Sequence, residues 1–377
     1  MQGCSGTGNK AFKSSIITPD VSAHLAQYDV LLDNEDMNDI KRYEKSTIRR
    51  VAKLGDGCFS NIFLVVDQVE QKKMAMKCLD HTKIRSPNEF LNASRDLLCE
   101  ANMLAQLEHP NILNLLGVCD TGVSESYIQD GEGYFMVMDV MQGTLMDRLR
   151  HWRNDPATYK KRGIGARIMN KGQSREKLDL DEMKVRIAAA AYGVAEAMTY
   201  VHKRDIIIRD LKPENIGFNE TTGKVCLFDF GSARYLEDGD GDDICGSPNY
   251  MAPEVLRAEG YTFASDVYSF AMVMYEICTL RKLTPRANKP FTVHHGAAGT
   301  ALPRQNGFDS RPSLDSIPCK DTQYLIEDCW YSDPAMRPSF EQISRAISEV
   351  VLGKNNKGRS SPQPEERTVS SESEAAV

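Results

Sequence analysis

The 377-residue chain has no Cys-x-x-Cys pair among its ten cysteines, which leaves a zinc ribbon or a thioredoxin-like dithiol without support. The thiols are scattered through apolar stretches, as at Cys78 after Ala75-Met76-Lys77, the pattern of buried free cysteines in a reducing compartment. The first twenty residues lack the apolar core of a secretory signal, and no run of about 18 apolar residues exists for a membrane span. Gln2 removes the glycine that N-terminal acylation needs. A soluble, cytoplasmic protein is expected, with a nuclear location left open. Lys and Arg number 46 against 53 Asp and Glu, a net charge of −7, so nucleic-acid binding by the chain as a whole is not expected. Only 26 glycines and 16 prolines are present, too few for a collagenous or low-complexity chain. No repeat of 20–50 residues is visible.

What remains is the composition of an ordinary globular protein, 41% hydrophobic and 26% charged, long enough for about two or three domains. Residues 1–47 mix Gly, Ser and Asn with acidic Asp33, Glu35, Asp36 and Asp39, and read as a flexible extension. Residues 353–377 are rich in Ser, Lys, Pro and Glu, with almost nothing apolar to bury against the entropy of ordering, and read as a disordered tail. Between them the chain turns from strand-rich to helix-rich. Strands are expected at 61–66, 74–79 and 133–140. Leu97, Ala101, Leu104 and Leu107 recur at helical spacing and predict a helix over 94–107. Ile187, Ala191, Val194, Met198 and Val201 form one stripe of a helix over 181–202. Further helices are expected at about 266–280 and 339–352. The fold class is therefore α+β: a small β-rich lobe over 48–141 and a larger helical lobe over 142–352. Within the latter, a basic insert occupies about 150–178. Residues 148–177 hold ten Lys and Arg against two acidic residues, a solvated loop or a docking patch for an acidic partner.

Glycines let a backbone approach phosphate oxygens and present N–H groups to them. Leu54-Gly55-Asp56-Gly57-Cys58-Phe59-Ser60-Asn61-Ile62 has the form G-x-G-x-x-S just before a strand. Taken alone it serves equally as a hairpin turn. Lys77, late in the next strand, offers an ammonium to phosphate, and Glu100 on the following helix is placed to pair with it. The decisive run is Arg209-Asp210-Leu211-Lys212-Pro213-Glu214-Asn215, followed by an apolar strand that ends at Asp229-Phe230-Gly231. One carboxylate there can orient a hydroxyl, a second can hold a divalent cation together with a side-chain amide, and a lysine can neutralise charge on a moving phosphoryl group.

The set resembles the eukaryotic protein kinase family over about residues 48–352, with Ala252-Pro253-Glu254, Asp266 and Arg337 completing the pattern. The resemblance implies a two-lobed fold with ATP and Mg²⁺ as cofactors and protein substrates and regulatory proteins as partners, while the charge and the lack of a long apolar run leave no nucleic acid and no membrane expected as partners. It implies that residues 54–62 cover the ATP phosphates, that Lys77 contacts them while paired with Glu100, and that Asp139 to Met141 form the hinge beside adenine, with Met138 behind it. Asp210 becomes the catalytic base, Lys212 steadies the γ-phosphate, and Asn215 and Asp229 hold Mg²⁺. Glu254 is expected to pair with Arg337. The loop form Asp210-Leu211-Lys212-Pro213-Glu214-Asn215 is that of Ser/Thr kinases. Asp266-Val267-Tyr268-Ser269-Phe270 and the stretch from Cys329-Trp330 to Phe340 resemble the tyrosine-kinase-like group of Ser/Thr enzymes. Ser247 is expected to reach Asp210 and Lys212. A pseudokinase scaffold and a small-molecule kinase are the competing functions.

Four departures from the family pattern carry expectations. Ser60 replaces a third glycine. Ile208 replaces a His that normally stacks with Phe230, Leu104 and Leu115, and its apolar side chain is expected to keep that packing. Gly217 replaces a Leu beneath adenine, which weakens nucleotide binding unless a neighbour fills the gap. Asp243, with Asp242, falls where relatives carry a phosphorylated Thr facing Arg209, so the chain is expected to be partly active without that modification.

Overall fold

The computed structural model describes residues 16, 19–29, 35–123, 125, 127, 133–154, 175–238, 244–283 and 311–352. The tail 353–377, most of the basic insert, and Asp242 and Asp243 lie outside the described residues. The chain opens with two helices, α1 (Pro19–Tyr28) and α2 (Glu35–Asn38), and a short strand β1 (Arg42–Tyr43). Strands β2 (Ile48–Asp56), β3 (Ser60–Asp67) and β4 (Lys73–Leu79) follow. They precede helix α3 (Pro87–Ala105) and strands β5 (Leu115–Cys119) and β6 (Phe135–Met138). These strands form one six-stranded sheet in the order β1-β5-β6-β4-β3-β2. It is antiparallel except where β1 runs parallel to β5.

The second half is mainly helical, as the hydrophobic periodicity predicts. Strand β7 (Met141–Thr144) leads into α4 (Leu145–Asn154) and α5 (Arg175–Arg186). The latter continues through a π-helical stretch, Ile187–Ala191, into α6 (Tyr192–His202). Short strands β8 (Ile206–Ile207), β9 (Ile216–Asn219), β10 (Val225–Leu227) and β11 (Arg234–Tyr235) come next. Helices α7 (Pro253–Leu256), α8 (Phe263–Thr279), α9 (Lys320–Cys329) and α10 (Phe340–Leu352) complete the lobe. Strands β10-β9-β7 make one small sheet and β11-β8 another. None of the described helices is long and apolar enough to cross a membrane.

Element positions follow local chemistry. The helix expected from residue 94 begins seven residues earlier, because Ser86 caps it by accepting from the Glu89 N–H at 3.2 Å, and Pro87 occupies its first turn. The helix expected over 181–202 is present, but interrupted by the π turn. Its stripe residues Ile187, Ala191, Val194, Met198 and Val201 are all buried. Ile208, Phe230, Leu104 and Leu115 are likewise all buried in the common core. The expectation of a flexible extension over 1–47 does not describe residues 19–29 and 35–47. Val21, Leu25, Met37 and Tyr43 are buried there, because each has an apolar surface of the small lobe to cover. Nine cysteines are described, all free. Cys78, Cys119, Cys226, Cys278 and Cys329 are buried, whereas Cys58 is exposed. Burial pushes the Cys226 thiol up to about 11 and Cys278 to about 12.

Candidate active site

The sheet register builds the first half of the site. Strand β3 sets Ile62 opposite Lys77 on β4, and β4 sets Lys77 opposite Met136 on β6. This places Lys77 in the middle of the sheet, facing α3. Its ammonium lies 2.5 Å from Glu100 Oε2 and 3.2 Å from Asp229 Oδ1. Burial opposes a charge on Lys77, but the two carboxylates outweigh it and hold the ammonium pKa above its ordinary value. In return, Lys77 holds the Asp229 carboxyl below its ordinary range, with Lys212 adding to the effect.

The second half is a loop stretched between buried anchors. Asp266 on α8, 1% exposed, accepts from the Ile208 N–H at 2.9 Å and the Arg209 N–H at 3.0 Å. His202 Nε2 lies 2.9 Å from the same carboxylate. Arg209 and Asp229 both adopt left-handed backbone, with φ of 65° and 63°, a conformation that costs a non-glycine residue energy and persists only where surrounding contacts impose it. Beyond the turn, Lys212 Nζ lies 2.5 Å from Asp210 Oδ2 and 3.0 Å from Ser247 Oγ. Asn215 Nδ2 donates to the Asp210 carbonyl at 3.0 Å and to Oδ2 at 3.2 Å. Asp210 Oδ1 is buried without a hydrogen-bond partner. Strands β9 and β10 pair Ile216 with Leu227, so the residues flanking that pair, Asn215 and Phe228-Asp229, emerge side by side. Gly246 brings Ser247 in: its φ is 106°, and a Cβ there would lie 2.6 Å from the Arg209 carbonyl oxygen.

The glycine-rich turn joins β2 to β3, with Gly55 opposite Ile62 and Asp56 opposite Asn61. Leu54 is 46% exposed at its mouth, Cys58 is exposed, and Phe59 packs on the core. Ser60 is buried, and a Cβ on Gly57 would meet Ser60 Oγ at 2.3 Å. Lys83 reaches across to Asp56 Oδ1 at 3.1 Å and the Gly57 carbonyl at 2.9 Å, a tether that no motif announces. Where β6 passes into β7, Asp139 Oδ2 accepts from Asn219 Nδ2 at 3.2 Å and the Glu220 N–H donates to the Val140 carbonyl at 2.9 Å. The Asp139 carboxylate is therefore committed to β9, and burial raises its pKa. Asn219 was not singled out from sequence; its Asn-Glu-Thr-Thr-Gly turn composition gives no hint of a contact with Asp139. Gly217 lies beside Met141: a Cβ on it would stand 3.1 Å from both Met141 Sδ and Phe228 Cε1. The space beside Gly217 is thus taken by a thioether and a ring.

A set of two ammonium groups, three carboxylates and an amide can bind a polyanion, hold a divalent cation and accept a proton from a hydroxyl. ATP and a divalent cation suit this donor set. The ammonium groups match phosphate oxygens, the amide and the Asp229 carboxylate match a hard cation, and Asp210 Oδ1 has an open acceptor site. Lower in the large lobe, Arg337 grips Glu254 through two bonds, Nη1 at 2.5 Å and Nη2 at 2.9 Å, with both side chains almost fully buried.

Residues 48–346 match the protein kinase domain. The chain belongs to the protein kinase family. Curated relatives of the kinase domain include dual specificity testis-specific protein kinase 2 of Mus musculus, 29% identical over 308 residues. The alignment covers 79% of this chain and 44% of that protein. Serine/threonine-protein kinase CTR1 of Arabidopsis thaliana is 29% identical over 307 residues, covering 79% of this chain and 31% of its own length. Dual specificity protein kinase shkB of Dictyostelium discoideum is 26% identical over 344 residues, covering 90% and 45%. The chain spans less than half the length of these relatives. Their mixture of Ser/Thr and dual-specificity names accords with the tyrosine-kinase-like character of Asp266–Phe270 and Cys329–Phe340.

Proposed function

We propose that the chain is an ATP-dependent protein serine/threonine kinase that transfers the γ-phosphoryl group of ATP to Ser and Thr hydroxyls of protein substrates. The observation that carries this reading is the contact chain Asp210–Lys212–Ser247, joined to Asn215, beside the Lys77–Glu100–Asp229 ion cluster. The backbone of residues 54–62 and the Lys77 ammonium bind the phosphates, and the hinge from Asp139 to Met141 holds adenine through its main chain. The substrate hydroxyl gives its proton to Asp210 Oδ1 as its oxygen attacks the γ-phosphorus, and the bond to the β-phosphate oxygen breaks to leave ADP. Lys212 and Ser247 keep Asp210 oriented, and Lys212 neutralises charge as it develops. Asn215 and Asp229 are the residues that would hold Mg²⁺, which when bound screens the phosphate charge. Asp243, with Asp242, supplies the anion that a phosphorylated residue supplies in relatives, so that the enzyme is partly active as synthesised.

The test is Mg·ATP-dependent phosphate transfer to generic Ser, Thr and Tyr peptides, with Asp210→Asn as the control. Transfer to Ser and Thr that Asp210→Asn abolishes is expected. Tight ATP binding without transfer would favour a scaffold. Transfer to Tyr as well would bring in dual specificity, a reading that the names of two relatives favour. Asp243→Asn is expected to lower the activity of unphosphorylated enzyme, and unchanged activity refutes the role given to Asp243.

A further inference from the structure

Helix α3 carries Glu100, and so decides whether Lys77 has its partner. Part of what holds α3 comes from outside the family match, which begins at residue 48. Helices α1 and α2 both pack on α3. Val21, Leu25 and Met37 are buried to 4%, 0% and 0% exposure in the same core cluster as the apolar residues of α3. The end of this segment is fastened to the sheet. The Val118 N–H donates to the Lys41 carbonyl at 3.0 Å and the Asp120 N–H to the Tyr43 carbonyl at 3.1 Å. Between the two attachments, Asp29 Oδ1 accepts from the Val123 N–H at 2.6 Å.

The receiving surface is shaped for these contacts. A Cβ on Gly117 would lie 2.4 Å from Tyr43 Cε2 and 2.5 Å from the Lys41 carbonyl oxygen. A Cβ on Gly122 would lie 2.9 Å from Asp29 Oδ1. Two separate glycines therefore leave room for two separate parts of this segment, Asp29 and the Lys41–Tyr43 stretch. A main-chain oxygen such as that of Lys41 has no flexible end that can yield. A segment that touches the small lobe by chance would not need both.

We propose that α1, Asp29, α2 and the stretch through β1 (residues 19–29 and 35–43) are a positioning strap. Tyr43 and Asp29 anchor it to β5 and the turn that follows, and Val21 and Leu25 press on α3, which keeps Glu100 on Lys77. These are positioning residues that act through α3. The catalytic part of this inference rests on the reading of the Lys77–Glu100 pair given above, whereas the mechanical part does not. An ion pair at 2.5 Å is sensitive to small helix shifts, and packed interfaces switch between discrete arrangements rather than deforming continuously.

The full chain is compared with Leu25→Asp, Leu25→Met and Gly122→Val, the last displacing Asp29 without touching the apolar contact. Amide hydrogen exchange is read at residues 87–105 and, as an internal control, at 263–279 in the large lobe, alongside kcat and the KM for ATP. Leu25→Asp and Gly122→Val are expected to speed exchange at 87–105 and leave 263–279 unchanged. They should lower kcat on the order of tenfold, within the span of ordinary site-to-site coupling. Leu25→Met should match wild type in both. Unchanged exchange at 87–105 in folded Leu25→Asp and Gly122→Val overturns the strap, and faster exchange with wild-type kcat overturns its positioning role. Should the wild-type chain transfer no phosphate, the function proposed above fails. The exchange arm, with calorimetric ADP affinity in place of kcat, then still decides whether the strap holds α3.

Discussion

Replacing Gly217 tests whether Met141 and Phe228 form the adenine floor of the proposed nucleotide site. A Cβ at this position already lies 3.1 Å from Met141 Sδ and 3.2 Å from its Cγ, closer than ordinary van der Waals contact. Gly217→Leu therefore pushes against Met141 and Phe228, and overpacking of this kind costs about 1–3 kcal/mol. Met141→Ala removes three heavy atoms from the floor. At about 0.8 kcal/mol for each methylene-sized group the loss is at most about 2.4 kcal/mol, or ~60-fold in nucleotide affinity. Because Met141 is only partly buried, about half of that, roughly eightfold, is the lower expectation. The double variant Met141→Ala/Gly217→Leu puts a branched side chain into the vacated space and is expected to recover affinity to within about threefold of wild type, since volume-conserving exchanges are the best tolerated. ADP titration calorimetry reads affinity, and thermal unfolding reads the strain of the single Leu variant. The reasoning is refuted if Gly217→Leu binds ADP as wild type does while the double variant is no better than Met141→Ala.

Three further outcomes follow from the same geometry. Ser247→Ala removes the hydroxyl 3.0 Å from Lys212 Nζ, and steady-state kinetics should show kcat reduced about tenfold with the KM for ATP little changed; unaltered kcat rejects the contact's role. Lys77 holds the Asp229 carboxyl below the ordinary aspartate value of 3.8, so the charged form contributes stability that is present above that value and lost as pH falls through the lowered folded pKa. The difference in Tm between wild type and Asp229→Asn should therefore be flat from about pH 5 to about pH 8 and shrink below about pH 4, and a gap that widens on acidification contradicts the sign. Arg337→Met leaves the Glu254 carboxylate buried and uncompensated, and denaturant unfolding should show a loss of about 3–5 kcal/mol; a loss below about 1 kcal/mol would show that the pair is dispensable.

The strands at 61–66, 74–79 and 133–140 and the helices at 94–107, 181–202, 266–280 and 339–352 were legible from length, composition and apolar spacing, whereas β2, β5, α4 and α9 were not marked out. The start of α3 was equally written, in Ser86-Pro87 and Glu89, but a search for apolar spacing alone begins at the first buried stripe. The π turn at Ile187–Ala191 was not legible, since an inserted residue in a run of alanines leaves the apolar pattern unbroken. The ordered part of the N-terminal extension was missed for a different reason. Val21, Leu25 and Met37 lie among polar neighbours, and their burial depends on a surface of α3 that forms elsewhere in the chain.

The linear order of residues fixed the chemistry on offer: which carboxylates, ammonium groups and amides exist, and that Asp210, Lys212 and Asn215 must share one loop. Local spacing acts over a few residues, so it was sufficient for that. It could not say that Lys77 meets Asp229, 152 positions away, that Met141 fills the place beside Gly217, or that an N-terminal segment braces α3. Those contacts arise only when separate elements pack, because side chains far apart in sequence are brought within a few ångströms by the burial of other residues.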